Sequence, residues 1–144
     1  MPVDLAVALP KPVGRSPAGV PHDAEGFVRV DDRGRVSGLE AVYAAGDMTT
    51  RPLRQGGLAT AQADAAAASI AVLAGARVDP AAFRPVLHGM LVTGAEPIWL
   101  LRAAGGHGVV ADEPPWWPPH KIAGRYLAPF LAAHATAERT ASAS

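Results

Sequence analysis

The chain has 144 residues and no cysteine, and its 13 basic side chains balance its 13 acidic ones. That length gives room for about one domain of ordinary size, and the lack of cysteine excludes disulfides and thiolate metal sites. The balanced charge argues against nucleic-acid partners and against a polybasic membrane surface. No apolar run approaches the roughly 20 residues that span a bilayer. We therefore expect a cytoplasmic protein and leave peripheral attachment to a membrane open.

The first 55 residues are predicted to form short strands joined by loops. The apolar run at residues 3–9 predicts a strand, and residues 11–21, rich in Pro, Gly and Ser, predict a loop. The alternation at residues 27–30, followed by the turn at 31–34, predicts a hairpin. Residues 42–45 are apolar throughout, as in strands of a parallel sheet that are buried on both faces.

One helix is predicted, over residues 58–74, with Gly75 placed to end it. Its small side chains are suited to close packing against a sheet. The residues at helical spacing, which we expect to form the buried face, are Ala59, Ala63, Ala66, Ile70 and Leu73.

The chain after residue 76 is predicted to be rich in strands. Strands are expected over residues 83–92, 98–102 and 109–110, with turns between them. The run Pro-Pro-Trp-Trp-Pro-Pro at residues 114–119 must be extended, because proline disfavours helix in the residue before it. A short helix is expected over residues 122–133.

Two glycine-containing segments suggest a binding site. The strand predicted at residues 42–45 delivers Gly46 and Asp47 at its carboxyl end, where open α/β sheets bind ligands. An ionised Asp47 can accept hydrogen bonds from ligand hydroxyls. Ten residues later, Gly56 and Gly57 open the helix and leave its first N–H groups free for a carbonyl oxygen or a negative charge. The alternatives without a binding function are that Asp47 caps a helix and that Gly56 and Gly57 only form a turn.

These segments resemble the FAD-dependent pyridine nucleotide oxidoreductases, and most closely the type II NADH dehydrogenase and sulfide:quinone reductase group. Residues 42–47, Val-Tyr-Ala-Ala-Gly-Asp, are similar to the second flavin motif of that family, and residues 53–59, Leu-Arg-Gln-Gly-Gly-Leu-Ala, to the segment that follows it. Residues 83–94 and 116–127 resemble the C-terminal segments. The blocks occur in the family's order over most of residues 20–131. Departures are Arg54 for lysine, His88 for arginine and His120 for glycine.

The resemblance implies a site for FAD. Asp47 would bond the ribityl chain, and the backbone at residues 57–59 would face the pyrimidine edge of the isoalloxazine. Lys121 would lie near the flavin edge, although a solvated lysine is an equal alternative. No metal site is expected, because the five histidines show no ligand spacing. The full set of implied cofactor contacts is Gly46, Asp47, Gln55, Gly56, Gly57, Leu58, Ala59 and Lys121.

The implied fold class is α/β. Residues 1–75 would be the C-terminal portion of a Rossmann-like FAD-binding domain of the glutathione reductase type. Residues 76–131 would be a strand-rich segment covering the flavin, and residues 132–144 a disordered tail. The Trp116–Trp117 pair is interpreted either as a stacking platform for a ring or as an anchor that pins the proline-rich segment to the core.

The sequence lacks the Gly-x-Gly-x-x-Gly turns that the family uses for the FAD pyrophosphate and for NAD(P)H. The resemblance therefore implies only part of an oxidoreductase that passes electrons from NAD(P)H through FAD to an acceptor such as a quinone, with catalytic residues unassigned. Three forms are open: an incomplete enzyme, a split subunit completed by a chain that carries both glycine-rich folds, and a cofactor-free interaction domain. A homo-oligomer is also open. The split subunit predicts exposed apolar edges at residues 3–9 and 42–45.

Overall fold

The computed structural model describes residues 4–116, 124–127 and 129–130. The helix α1 (Gly56–Leu73) is followed by the strands β1 (Val86–Leu91), β2 (Ile98–Ala103) and β3 (Gly108–Ala111). The chain is therefore of mixed α and β composition. No helix among the described residues is both long and apolar enough to cross a membrane.

The hairpin predicted at residues 27–36 is confirmed, but it is very short. Val30 pairs with Val36 in a single antiparallel bridge, and the Asp31 N–H donates to the Arg35 carbonyl at 3.0 Å. The Asp31 carboxylate closes the turn by accepting from the backbone N–H groups of Arg33 and Arg35. This hairpin contributes to a small core whose buried members are Val28, Val36 and Ala44.

Residues 42–45 do not form the buried parallel strand that was predicted. They run antiparallel to the hairpin: the Val36 N–H donates to the Val42 carbonyl and the Ala44 N–H to the Gly34 carbonyl, both at 2.8 Å. Tyr43 makes the only bridge in this run, and Val42 is 38% exposed. An apolar run specifies burial but not the direction of its neighbour, and here the neighbour is a hairpin strand.

The strand predicted at residues 3–9 is also wrong for the part that the structure describes. Residues 4–10 have no regular secondary structure and are exposed, with Leu5 81%, Val7 84% and Leu9 95% accessible. A strand needs a neighbour to pair its backbone groups, and none of the described residues lies beside this segment as a partner strand. We call residues 4–10 the N-terminal arm.

Helix α1 confirms the predicted helix, although it begins two residues earlier, at Gly56. It ends as predicted: Gly75 has φ +86°, and its N–H donates back to the Val72 carbonyl at 2.9 Å. The predicted buried face is mostly wrong, because Ile70 and Leu73 are 49% and 64% exposed. The residues that α1 buries are Leu58, Thr60, Gln62, Ala65, Ala66, Ala68 and Ser69.

The three strands predicted after residue 83 are confirmed with different ends: β1 is shorter than predicted, and β2 and β3 are slightly longer. They form an antiparallel sheet in the order β1-β2-β3, in which Leu87 pairs with Arg102 and Leu101 with Val109. Each predicted turn joins neighbouring strands, which is the arrangement that short connections allow. The predictions for residues 117–119 of the proline-rich run, for most of the helix at 122–133 and for the tail at 132–144 lie outside the described residues.

Candidate functional site

The predicted site residues Gly46 and Asp47 lie in a 3-10 turn, Gly46–Met48. Gly46 has φ +78°, and a Cβ atom built there would lie 3.3 Å from Ala59 Cβ. The turn thus packs closely against the first turns of α1, and glycine permits both the conformation and the approach. This contact shows that the two segments singled out in the sequence lie next to each other.

The Asp47 side chain is exposed. Its carboxylate makes no hydrogen bond or ion pair with another described residue, so both oxygens remain able to accept bonds from a ligand. The backbone beneath it is held, because the Val28 N–H donates to the Met48 carbonyl at 2.8 Å and the Thr49 hydroxyl to the Gly46 carbonyl at 2.8 Å.

The start of α1 carries backbone donors that no side chain caps. Gln55 is the N-cap residue and makes no side-chain capping bond. The first bond of the helix runs from the Ala59 N–H to the Gln55 carbonyl at 2.9 Å. The N–H groups of Gly56, Gly57 and Leu58 therefore precede the hydrogen-bonded part of the helix, whereas the Ala59 N–H, one of the predicted contacts, is already used.

Two polar atoms in the loop before α1 are buried without a partner among the described residues, Arg54 Nε and Gln55 Oε1. The Arg54 guanidinium lies over the Phe27 ring, 4.3 Å from its centroid. Gln55 Nε2 donates to the His88 carbonyl at 2.6 Å. A buried polar atom without a partner costs free energy. A bound group could therefore accept a hydrogen bond from Arg54 Nε and donate one to Gln55 Oε1.

The C-terminal segments also lie against α1. Gln55 links the start of the helix to β1 through His88. Further along, the Asp64 carboxylate accepts the backbone N–H groups of Arg125 at 2.6 Å and Tyr126 at 3.3 Å. Between α1 and this segment lies an apolar groove of about 550 Å³, lined mainly by Ala59, Ala63, Ala67, Tyr126, Leu127 and Phe130.

Trp116 lies in an aromatic cluster on the sheet. Its ring centroid is 4.6 Å from that of His88 and 5.3 Å from that of Trp99. This contact agrees with the interpretation of Trp116 as an anchor for the proline-rich segment. Trp117 and Lys121 lie outside the described residues. Among the residues that the structure describes, no three His, Asp or Glu side chains are grouped as metal ligands.

Sequence reasoning missed the residues that join these segments, namely Thr60, Gln62, Asp64 and Gly124. The available signal was weak: Gln62 and Asp64 are polar side chains in an otherwise alanine-rich helix, a pattern that a solvated helix face also produces. Comparison of the chain with models of known protein families, with curated proteins and with solved structures found no match.

Proposed function

We propose that this chain supplies the part of a flavin site that faces the isoalloxazine and the ribityl chain in an FAD-dependent NAD(P)H oxidoreductase. The observation that supports the proposal is the meeting of the four family-like segments around the first half of α1. The Gly46–Met48 turn contacts Ala59, Gln55 bonds His88 of β1, and Asp64 bonds the segment at Arg125. Segments far apart in sequence thus lie together around one helix, which supports the proposal.

The residues present fit one end of the cofactor. The open Asp47 carboxylate is suited to the ribityl hydroxyls, with charge-assisted bonds. The free N–H groups of Gly56 and Gly57 favour a carbonyl oxygen or a negative charge, since the helix dipole is positive there, whereas Leu58 is only 1% exposed. Gln55 Oε1, buried without a described partner, adds an acceptor for a ring N–H.

FAD, when bound, supplies the hydride and electron chemistry, while the protein supplies position and electrostatics. In this proposal, the first turn of α1 stabilises negative charge on the pyrimidine side of the ring system. Asp47 orients the ribityl chain. No residue of this chain is assigned a proton-transfer step.

The pyrophosphate and NAD(P)H sites are not assigned to these 144 residues, because no Gly-x-Gly-x-x-Gly turn occurs in them. The proposal assigns those sites, and the Rossmann-like sheet, to additional polypeptide. In the split-subunit form a separate chain carries them. That form predicts exposed apolar edges at residues 3–9 and 42–45. Leu5, Val7 and Leu9 are at least four-fifths exposed, whereas residues 42–45 pair with the hairpin and Ala44 is 8% exposed. The exposed arm fits the split subunit and the incomplete enzyme alike.

The proposal is tested by titrating the isotope-labelled chain with riboflavin and with FAD and following the backbone amide signals by NMR. We expect shifts at residues 46–48 and 56–58. The two ligands should bind within about threefold of each other, because no element for the pyrophosphate distinguishes them. Asp47→Ala should weaken both by about tenfold or more, since a charge-assisted hydrogen bond contributes roughly 1.5–3 kcal/mol.

The matched control is Asp112→Ala, which removes another exposed carboxylate, immediately after β3, and should leave both affinities unchanged. Unperturbed amides at residues 46–48 and 56–58 would exclude the flavin site. If the chain also unfolded cooperatively without flavin, that result would favour the cofactor-free interaction domain.

A further inference from the structure

Gln62 is a buried amide side chain in an alanine-rich helix, with 6% of its surface exposed. Burying a polar side chain is unfavourable unless a hydrogen bond replaces its contact with water. Its partner is not in α1: Gln62 Oε1 accepts the Gly46 N–H at 2.8 Å. The side chain therefore links the helix to the 3-10 turn that carries Asp47.

The two other buried polar side chains of α1, Thr60 and Ser69, behave differently. The Thr60 hydroxyl donates to the Gly56 carbonyl and the Ser69 hydroxyl to the Ala65 carbonyl, each at 2.9 Å. Both bonds stay within one turn of the helix and link α1 to nothing else. Gln62 has the longer side chain and spans the gap to the neighbouring segment.

The other hydrogen bonds of the 3-10 turn lie within the turn or go to residues outside α1. The Gly46 carbonyl accepts from the N–H and the hydroxyl of Thr49, at 3.1 and 2.8 Å. The Met48 carbonyl accepts the Val28 N–H at 2.8 Å. Among the described residues, the Gln62 bond is the hydrogen bond that joins the turn directly to α1.

Asp47 lies between these two anchors, and its carboxylate makes no bond to another described residue. The backbone alone therefore sets its place. Removing the Gln62 acceptor leaves the partly buried Gly46 N–H without a partner, and the turn must move to reach water or another acceptor. We propose that Gln62 is the positioning residue of the site, which sets Asp47 against the start of α1. Its effect on flavin rests on the proposed function.

Gln62→Met removes the hydrogen-bond acceptor and keeps the volume of the side chain. Gln62→Ala also removes the acceptor and introduces the residue with the highest helix propensity. Gln62→Glu retains an acceptor. For each variant of the full chain, we would measure hydrogen exchange of the Gly46 amide and the affinity for riboflavin. The Met and Ala variants should exchange Gly46 about tenfold faster or more and bind riboflavin about tenfold more weakly. The Glu variant should restore both values to within about threefold.

The matched control is Ser69→Ala, which removes a buried polar group from the same helix and should change neither readout by more than about twofold. Unchanged Gly46 exchange in Gln62→Met and Gln62→Ala would overturn the proposal. Faster exchange with undiminished riboflavin affinity would overturn the link from the turn to the ligand. If the unsubstituted chain binds no riboflavin, the proposed function fails, and the Gly46 exchange rates alone decide whether Gln62 holds the turn.

Discussion

His88 lies where the sheet meets the loop before α1. Its carbonyl oxygen accepts the Gln55 amide at 2.6 Å, and its ring packs against Trp116 at 4.6 Å between centroids. Burial lowers the pKa of His88 below 6.5, because it is the charged imidazolium that loses solvation. The ring is therefore stabilised in its neutral form at this junction.

This lowered pKa predicts a pH dependence of stability. Between the native pKa of His88 and 6.5, the unfolded chain binds more protons than the native chain, so the free energy of unfolding falls as the pH falls through that window. The contribution of neutral His88 to the free energy of unfolding is fully present above pH 6.5. Denaturant unfolding over a pH series should show the unsubstituted chain gaining stability relative to His88→Gln as the pH rises.

His107→Gln is the control for that series, since it removes a histidine from the exposed turn between β2 and β3. A constant difference between His88→Gln and the unsubstituted chain across the series would contradict the assignment.

At the scale of elements, α1 organises the described structure because single side chains in the helix and at its N-cap contact three other segments. This arrangement needs a helix of small residues, since alanine lets neighbouring backbones approach closely. A helix of small residues has little apolar surface, and packing alone therefore defines its orientation poorly. Hydrogen bonds from polar side chains and one contact with a glycine fix its position relative to the neighbouring segments. The pairs are Gln55 with His88, Thr60 with Gly124, Gln62 with Gly46, and Asp64 with Arg125 and Tyr126.

The contact between Thr60 and Gly124 gives a test at this scale. A Cβ atom at Gly124 would lie 2.1 Å from Thr60 Cγ2, and Thr60 is buried with its hydroxyl bonded to the Gly56 carbonyl. Gly124→Ala should therefore force the segment away from α1 and destabilise the protein by about 1–3 kcal/mol, as overpacking does. Thermal or denaturant unfolding would measure the loss.

Thr60→Ser supplies the matching rescue, because serine keeps the hydroxyl and lacks the Cγ2 methyl. In the Thr60→Ser background, Gly124→Ala should cost much less than it does alone. Equal costs in the two backgrounds would exclude the steric contact as the cause.

At the scale of the whole molecule, large apolar side chains are divided between a small core and open surfaces. Val28, Val36 and Leu58 are at most 2% exposed. Leucine and valine side chains are exposed to solvent in the N-terminal arm, at the end of α1 and in parts of the sheet. Leu73 is 64% exposed and Val110 is 70% exposed. Surfaces of this kind are typical of regions that associate with other polypeptide.

The same substitution at two leucines tests this division. Leu58→Ala removes a side chain that is 1% exposed and should lower the free energy of unfolding by about 2–5 kcal/mol through lost burial and a cavity. Leu5→Ala, in the arm, should change it by less than about 0.5 kcal/mol, because Leu5 is 81% exposed. Denaturant unfolding compares the two, and a large loss in Leu5→Ala would show that the arm packs onto the domain.

Local pattern was a sufficient guide where a few neighbouring residues decide the structure. The turn chemistry of Asp31 predicts the hairpin, Gly75 predicts the end of α1, and the apolar runs after residue 83 predict the three strands. It failed for the partner and direction of residues 42–45, because an apolar run is equally suited to parallel and antiparallel neighbours. It failed for the buried face of α1, because alanine lies on several sides of the helix and leaves no clear stripe.

The sequence by itself determined where the helix, the hairpin and the three strands after residue 83 lie, and it singled out Asp47 and the glycines at the start of α1 as a candidate site. Only the tertiary structure decided that Gln62 bonds Gly46, that Asp64 bonds the backbone at Arg125, and that the N-terminal arm remains in solvent. Local structure depends on torsional preferences and on spacing within a few residues. These contacts join positions 16 and 61 residues apart, and no short pattern encodes which buried amide or carboxylate will meet which distant N–H.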